Sequence, residues 1–250
     1  MDFVDYHKLL SRSQFTINHS HTTMHILIFI ALLAAIIFGP QLWAKRILTK
    51  YSRSRDDFPG TGGELARHLL DRLKMPHIKV EMTDLGDHYD PIEKTVRLSQ
   101  DNWSGKSLTA VVTAAHEVGH AMQDYMGYQP LHARTKLIAI AQVAEKIGAG
   151  LMIMIPVITV LVRLPAAGVL MFLGGLASLG TSVVVHFITL PVEWDASFRR
   201  ALPILEKGEY ISSKDQRAAR RILTACALTY VASSLTSLLN LWRWIAILRR

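Results

Sequence analysis

The chain has 250 residues, half of them hydrophobic, and a single cysteine, Cys226. One cysteine excludes an intramolecular disulfide and a zinc site built from cysteine thiolates. The formal net charge of +8 would suit nucleic acid, but the basic residues lie beside apolar segments, as in the loops of membrane proteins. We therefore expect no nucleic-acid partner.

The first apolar segment predicts a membrane-spanning helix. Residues 1–23 form a polar N-terminal lead, and residues 24–43 contain no Asp, Glu, Lys or Arg. Twenty such residues are long enough to cross a bilayer as a helix. Basic residues follow at once, which by the positive-inside rule places the downstream chain in the cytosol. They are Lys45, Arg46, Lys50, Arg53 and Arg55.

Residues 44–146 have the pattern of a cytosolic α+β catalytic region. Thr61 and Glu64 fit a capping box that opens a helix, and Pro76 follows the end of its apolar stripe. Residues 77–82 and 94–99 alternate in hydrophobicity and flank a turn-rich stretch, which predicts a β-hairpin or short meander. This sheet could align an extended peptide by adding it as a strand, or it could merely cover the next helix.

The next helix carries the main chemical motif. Residues 107–128 have apolar side chains at helical spacing and contain His116-Glu117-Val118-Gly119-His120, an H-E-x-x-H pattern. Two histidines four residues apart lie on one helix face and can both bind one zinc ion, while Glu117 can contact a water molecule beside the ion. Burying three such side chains is costly unless they bind something. Gly119 leaves room for another element to approach closely.

The second half of the chain predicts further membrane crossings. Residues 131–146 read as an interfacial or cytosolic helix, and residues 147–190 read as a transmembrane helical hairpin. Residues 191–221 then return to the cytosol. Residues 222–250 could form a fourth span or a helix along the membrane surface. The fold expected is thus mainly α and integral to the membrane, with three to four transmembrane helices and an active site facing the cytosol.

A catalytic zinc ion usually takes three protein ligands and a water molecule, so a third ligand is needed. Glu193 is our candidate, because we expect it in a fresh helix after Pro191 and 73 residues beyond His120 (193 − 120). Capping of that helix is the alternative role for Glu193. The other candidates weighed are His132, Glu145, His186 and Asp195.

Several longer motifs support the same reading in the same order along the chain. They are Asp87-His88-Tyr89-Asp90-Pro91, Lys94-Thr95-Val96-Arg97-Leu98-Ser99, Ala114-Ala115-His116-Glu117-Val118-Gly119-His120-Ala121, Gly127-Tyr128-Gln129-Pro130-Leu131 and Leu190-Pro191-Val192-Glu193. Through them the chain resembles the bacterial integral-membrane neutral zinc metallopeptidases of the YugP type. The resemblance implies a membrane-bound zinc endopeptidase with a zincin-like catalytic unit, located as a multi-pass protein in the bacterial inner membrane.

The chain also looks like the wider gluzincin class, in which a glutamate from a later helix completes a two-histidine site. In much of that class an aspartate follows this glutamate by four positions. Here that position is Ser197, while Asp195 lies two residues after Glu193. The partners of the metal ligands therefore stay open at this point.

The mechanism expected is hydrolysis of membrane or membrane-proximal polypeptides. One Zn²⁺ is held by His116, His120 and Glu193, and Glu117 acts as general base. The alternative is a non-proteolytic zinc-binding scaffold, and a metal transporter is a poorer third reading. The sequence does not choose a donor for the oxyanion among Tyr128, His88 and Tyr230, and Asp124 could orient an imidazole or lie in solvent.

Overall fold

The computed structural model divides into two units, residues 1–39 and residues 40–250. It describes residues 24–25, 27–32, 34–35, 38–143, 174, 185 and 188–238, and for residues 230–238 the backbone alone. In the first unit the described residues are helical. The second unit contains the elements that build the site.

Helices dominate the second unit. In chain order they are α1 (residues 40–50), α2 (Gly62–Arg72), α3 (Gln100–Trp103), α4 (Leu108–Tyr125), α5 (residues 129–143), α6 (residues 188–207) and α7 (Gln216–Leu238). Within α6, Asp195–Ala201 is π-helical and Leu202–Lys207 is α-helical. The capping box predicted at α2 is confirmed, since Thr61 Oγ1 accepts from Glu64 N and Glu64 Oε2 accepts from Thr61 N.

Three short strands form one sheet: β1 (Lys79–Met82), β2 (His88–Asp90) and β3 (Thr95–Leu98). Their order is β1-β3-β2, with β1 and β3 parallel and β2 and β3 antiparallel. The strands at both predicted places are confirmed, but the hairpin or meander that should join them is wrong. The stretch between them contains β2, which forms the hairpin with β3 instead.

Local side-chain bonds explain why the chain reverses at that point. Asp90 Oδ1 accepts hydrogen bonds from the amides of Ile92 and Glu93, and Lys94 has a φ of 51°. These contacts tighten the connection between β2 and β3 into a turn. β1 then pairs with the other edge of β3 in the parallel direction.

Helix α4 is the centre of this unit. All of its 18 residues are buried except Met122 and Tyr125. It contacts α2, α6 and α7 as well as β2 and β3. Its N-cap is Ser107, whose hydroxyl accepts from Ala110 N at 3.1 Å. Because other elements surround α4, its apolar side chains form the core and its three motif side chains lie inside the protein.

No helix in the described part of the chain is long and apolar enough to cross a membrane. This finding contradicts the predicted three to four transmembrane helices, and with them the predicted multi-pass location in the bacterial inner membrane. The apolar faces of α4 and of the first turns of α7 pack against other elements of the protein. An apolar run in the sequence therefore does not distinguish a core helix from a membrane span.

The individual predicted spans stand as follows. Residues 147–173 of the predicted hairpin, and most residues from there to 187, lie outside the described residues, as do residues 26, 33, 36 and 37 of the first span. Of the last predicted segment, residues 222–250, residues 222–238 belong to α7, which begins earlier, at Gln216. Residues 239–250 lie outside the described residues.

Candidate metal centre and active site

Helix α4 presents His116 and His120 on one face, one turn apart. Their ring centroids are 4.8 Å apart and the ring planes meet at 79°. Both side chains are buried, with exposed residue fractions of 1% and 3%. The i, i+4 spacing of the motif produces this arrangement directly.

Glu193, on α6, lies against both imidazoles. Its Oε2 atom is 3.2 Å from Nε2 of His116 and 3.2 Å from Nε2 of His120. Glu193 is fully buried, and the candidate ligand atoms of the three residues all lie within 4.8 Å of one another. The structure thus brings the three predicted ligands together, although their role as metal ligands stays a prediction.

Gly119 allows α6 to come this close. A Cβ atom at Gly119 would lie 2.7 Å from the backbone oxygen of Ala196. Real Cβ atoms do not approach a backbone oxygen so closely, so only glycine fits without a shift of one helix. The close approach predicted for this position is confirmed.

The course of α6 also differs from the prediction. Residues 188–194 are already helical, so Pro191 lies within a helix and does not begin one. The π-helical segment follows directly, with Leu202 N donating to Ser197 O. Such segments change the direction of the following side chains and are frequent at functional sites. Here the segment places Ser197 on the same side as Glu193, facing α4.

Neutral side chains contact the outer nitrogen of each histidine. His116 Nδ1 lies 3.0 Å from Ser197 Oγ, and His120 Nδ1 lies 2.9 Å from Gln123 Oε1. Gln123 Oε1 can only accept, so Nδ1 of His120 donates to it, and loss of the Nε2 proton would leave that nitrogen available to a metal. Ser197 Oγ in turn donates to Leu223 O at 3.3 Å, which lets it accept from His116.

Asp195 supports this arrangement and is not a ligand. Gln123 Nε2 donates to Asp195 Oδ2 at 2.9 Å and to Val192 O at 2.8 Å. Arg200 Nε donates to the same oxygen of Asp195 at 2.7 Å. The amide of Gln123 therefore links the imidazole of His120 to a buried carboxylate on α6.

The electrostatics of the two glutamates differ. Burial alone would raise the pKa of Glu193, but the charge of His120 and hydrogen bonds from both histidines outweigh it and hold that pKa below its ordinary value. Burial raises the pKa of Glu117 to about 8, helped by the negative charges of Glu193 and Asp87 and opposed by His116. Although both carboxylates are buried, their pKa values are therefore shifted in opposite directions.

The residues present fit a zinc ion. Two imidazole nitrogens and one carboxylate oxygen are a donor set of catalytic zinc sites. Glu117 is buried, and within the described residues its Oε2 atom has no hydrogen-bond partner. A buried carboxylate oxygen without a partner is costly, and a water molecule at the site would satisfy it.

Other candidates from the sequence lie elsewhere. Asp124 Oδ2 accepts from Tyr89 Oη and from Lys94 Nζ, both at 2.6 Å, so it neither orients an imidazole nor lies in solvent. His88 Nδ1 contacts Gly86 O at 2.8 Å. His132 is half-buried and is not part of the cluster.

The remaining candidates can be placed only in part. The ring of Tyr128 lies under the guanidinium of Arg200, 5.5 Å from its centroid. Glu145, His186 and the side chain of Tyr230 lie outside the described residues.

Two residues of the site were not predicted from the sequence. Gln123 lies three residues after His120, on the same helix face, and this spacing is a signal that could have identified it. Arg134, on α5, places Nη1 3.1 Å from Glu193 Oε1. No sequence pattern connects Arg134 with Glu193, because their contact depends on how α5 and α6 pack.

Comparison with known proteins now adds to the geometry. The profile of a family described as "Putative neutral zinc metallopeptidase" matches residues 25–249. The chain is 34% identical over 225 residues to "Putative membrane protease YugP" of Bacillus subtilis (strain 168), which covers 89% of this chain and 96% of that protein. No solved structure matches. On the extent of the profile match and of this identity, the chain belongs to the family described as "Putative neutral zinc metallopeptidase".

Proposed function

We propose that the protein is a zinc endopeptidase in which His116, His120 and Glu193 hold the ion and Glu117 is the general base. The observation that carries the proposal is the convergence of two Nε2 atoms on one buried carboxylate oxygen, 3.2 Å from each. Membership of the family supports zinc and peptidase activity in general terms.

The roles of the residues follow from their positions. A zinc ion bound there would polarise the scissile carbonyl and make water a better nucleophile near neutral pH. Glu117 Oε2 takes a proton from the attacking water as the new C–O bond forms. Glu117 then delivers that proton to the departing nitrogen as the C–N bond breaks.

A zinc-binding protein without catalysis is the competing function. A purely structural zinc site has four protein ligands and needs no base. Among the described residues only three candidate ligands cluster here, and Glu117 is buried on the helix that carries two of them. These features favour hydrolysis.

The substrate class that we propose is polypeptide. The similar Bacillus subtilis protein is named a membrane protease, and this makes membrane or membrane-proximal polypeptides the first substrates to test alongside casein.

The experiment compares zinc content and peptide cleavage in the wild type, Glu117→Gln and Glu193→Ala. We expect one zinc ion per chain in the wild type. Glu117→Gln should retain zinc but lose at least about a hundredfold in kcat, since general bases contribute on the order of 10²–10⁴. Glu193→Ala should lose most of its zinc. Glu209→Gln, an exposed glutamate, is the control for a change of charge alone.

Two outcomes would overturn the proposal. Cleavage by Glu117→Gln at the wild-type rate would remove Glu117 from the mechanism. Zinc content that is unchanged in Glu193→Ala would remove Glu193 from the metal site. A wild type that binds zinc fully but cleaves no polypeptide would instead support the zinc-binding alternative.

A further inference from the structure

The two oxygens of the Glu193 carboxylate have different partners. Oε2 faces the two imidazoles at 3.2 Å. Oε1 faces the guanidinium of Arg134, with Nη1 at 3.1 Å. The side chain of Glu193 is fully buried and that of Arg134 is 13% exposed, so this ion pair is largely shielded from solvent.

We propose that Arg134 is a positioning residue, which holds Glu193 so that only Oε2 faces the metal. The inference rests on the proposed zinc site and adds a residue to it. A carboxylate can bind a metal through one or both oxygens. Among the described residues no hydrogen bond reaches Oε1, and the charge of Arg134 faces it as an ion pair. Removing that charge would leave Oε1 free to turn toward a bound metal.

This restraint has two consequences for catalysis. A glutamate bound through one oxygen leaves coordination space for water and the substrate carbonyl, as catalytic zinc sites require. The positive charge of Arg134 also offsets the negative charge of Glu193. A bound metal would therefore retain more of its power to polarise a carbonyl. Both effects concern reactivity, not the mere retention of metal.

The turn after α4 sets the course of the helix that carries Arg134. Helix α4 ends in a turn where Gly127 has a φ of 66° and Tyr128 N donates to Gln123 O at 2.8 Å. Helix α5 begins at the next residue and carries Arg134 back to α6. Arginine suits this position because its planar guanidinium is less strongly hydrated than an ammonium group and forms directed bonds to carboxylates.

The test uses the full chain loaded with Co²⁺, whose visible absorption reports coordination number. We expect Arg134→Met to lose absorption intensity relative to the wild type, because the freed Oε1 turns to the metal. We also expect kcat to fall roughly 10- to 100-fold, the usual cost of removing such a partner of a ligand, with KM unchanged. Arg134→Lys keeps a charged donor and should restore most of both readouts.

Two further variants keep the test interpretable. Lys136→Met removes an exposed positive charge from the same helix and should match the wild type in both readouts. Arg134→Gln is a second neutral variant, measured in parallel, and it carries the test if circular dichroism shows that Arg134→Met does not fold.

The possible failures are distinguishable. A wild-type spectrum and kcat in the folded neutral variants would overturn the role of Arg134 while leaving the zinc proposal intact. If the wild type binds no Co²⁺, or if Glu193→Ala binds it as well as the wild type does, the proposed function itself is overturned, and this inference with it.

Discussion

At the scale of single residues, Gly119 determines how closely α6 approaches the two histidines. We predict that Gly119→Ala destabilises the protein by about 1–3 kcal/mol, the usual cost of overpacking. Alanine has the better helix propensity by about 1 kcal/mol, but its Cβ would lie 2.7 Å from Ala196 O. A backbone oxygen cannot move aside by rotating a side chain. Chemical denaturation measures the change.

The matched control for that substitution is Gly39→Ala. Gly39 is helical, and among the described residues no atom outside its own stretch of helix lies within 4 Å of the position that its Cβ would occupy. The control should be as stable as the wild type or slightly more stable. Equal stability of the two variants would show that close contact at Gly119 does not matter.

Ser197 gives a second test at the same scale. We predict that Ser197→Ala binds zinc roughly 10- to 100-fold more weakly, because His116 Nδ1 loses the hydroxyl that lies 3.0 Å away. Competition with a chromophoric chelator measures the affinity. Ser213→Ala changes an exposed serine and is the control. Equal zinc affinities of Ser197→Ala and Ser213→Ala would contradict the role given to Ser197.

How far the sequence could predict the site also depends on the residue. The positions of His116 and His120 follow from helical spacing alone, so a local pattern was sufficient. Glu193 required two helices to meet, and only its place between apolar segments and the family resemblance selected it. The contact of Arg134 with Glu193 depends on how α5 and α6 pack, so no local sequence pattern predicts it.

At the scale of elements, the sheet shows the same limit. Alternating hydrophobicity identified β1 and β3, because it depends on each strand alone. Their parallel pairing depends on β2, which lies between them in the sequence. This strand has only three residues, and its polar residues His88 and Asp90 are typical of a turn. Pairing partners are set by tertiary packing, which hydrophobic alternation does not encode.

A contact between the segment after α1 and the start of α7 predicts a pH dependence. Arg55 binds Asp215 through Nη1 at 2.8 Å and Nη2 at 2.9 Å. Hydrogen bonding to Arg55 holds the pKa of Asp215 below its ordinary value, and this outweighs the effect of burial. A lowered folded-state pKa means that the stabilisation is complete above the unfolded pKa and is lost as the pH falls through the folded value.

We therefore predict that Asp215→Asn destabilises the protein by about 1–2 kcal/mol at pH 7. This is below the roughly 1.5–3 kcal/mol of a hydrogen bond to a charged group, because the side chain of Arg55 is 33% exposed and solvent screens the pair. The difference from the wild type should shrink as the pH falls below about 4. Urea denaturation of both proteins between pH 3 and pH 7 measures this. A difference that stays constant with pH would show that the ion pair does not stabilise the fold.

At the scale of the whole molecule, the proposed zinc ligands come from chain segments that are far apart in sequence. An ion that joins α4 to α6 binds the folded chain and not the unfolded one, so it stabilises the fold by mass action. We predict that chelation lowers the melting temperature by about 5–15 °C, as expected for a loss of about 3–4 kcal/mol in a domain of this size. Glu193→Ala should show little further change on chelation, and an equal shift in both proteins would place the stabilising metal elsewhere.

The global architecture was the part least accessible from the sequence. Hydropathy indicated several membrane spans, yet no helix among the described residues could serve as one. Helix α4 shows another way to cover apolar residues, since they pack against α2, α6, α7 and the sheet. Composition gives the amount of apolar surface and not the partner that covers it.

The most direct test of the central claim is anomalous X-ray scattering at the zinc edge from crystals of the wild-type protein. We predict one strong anomalous peak within bonding distance of Nε2 of His116, Nε2 of His120 and Oε2 of Glu193. A zinc peak bound by other residues, or zinc at full occupancy with Glu193 turned away from it, would contradict the account.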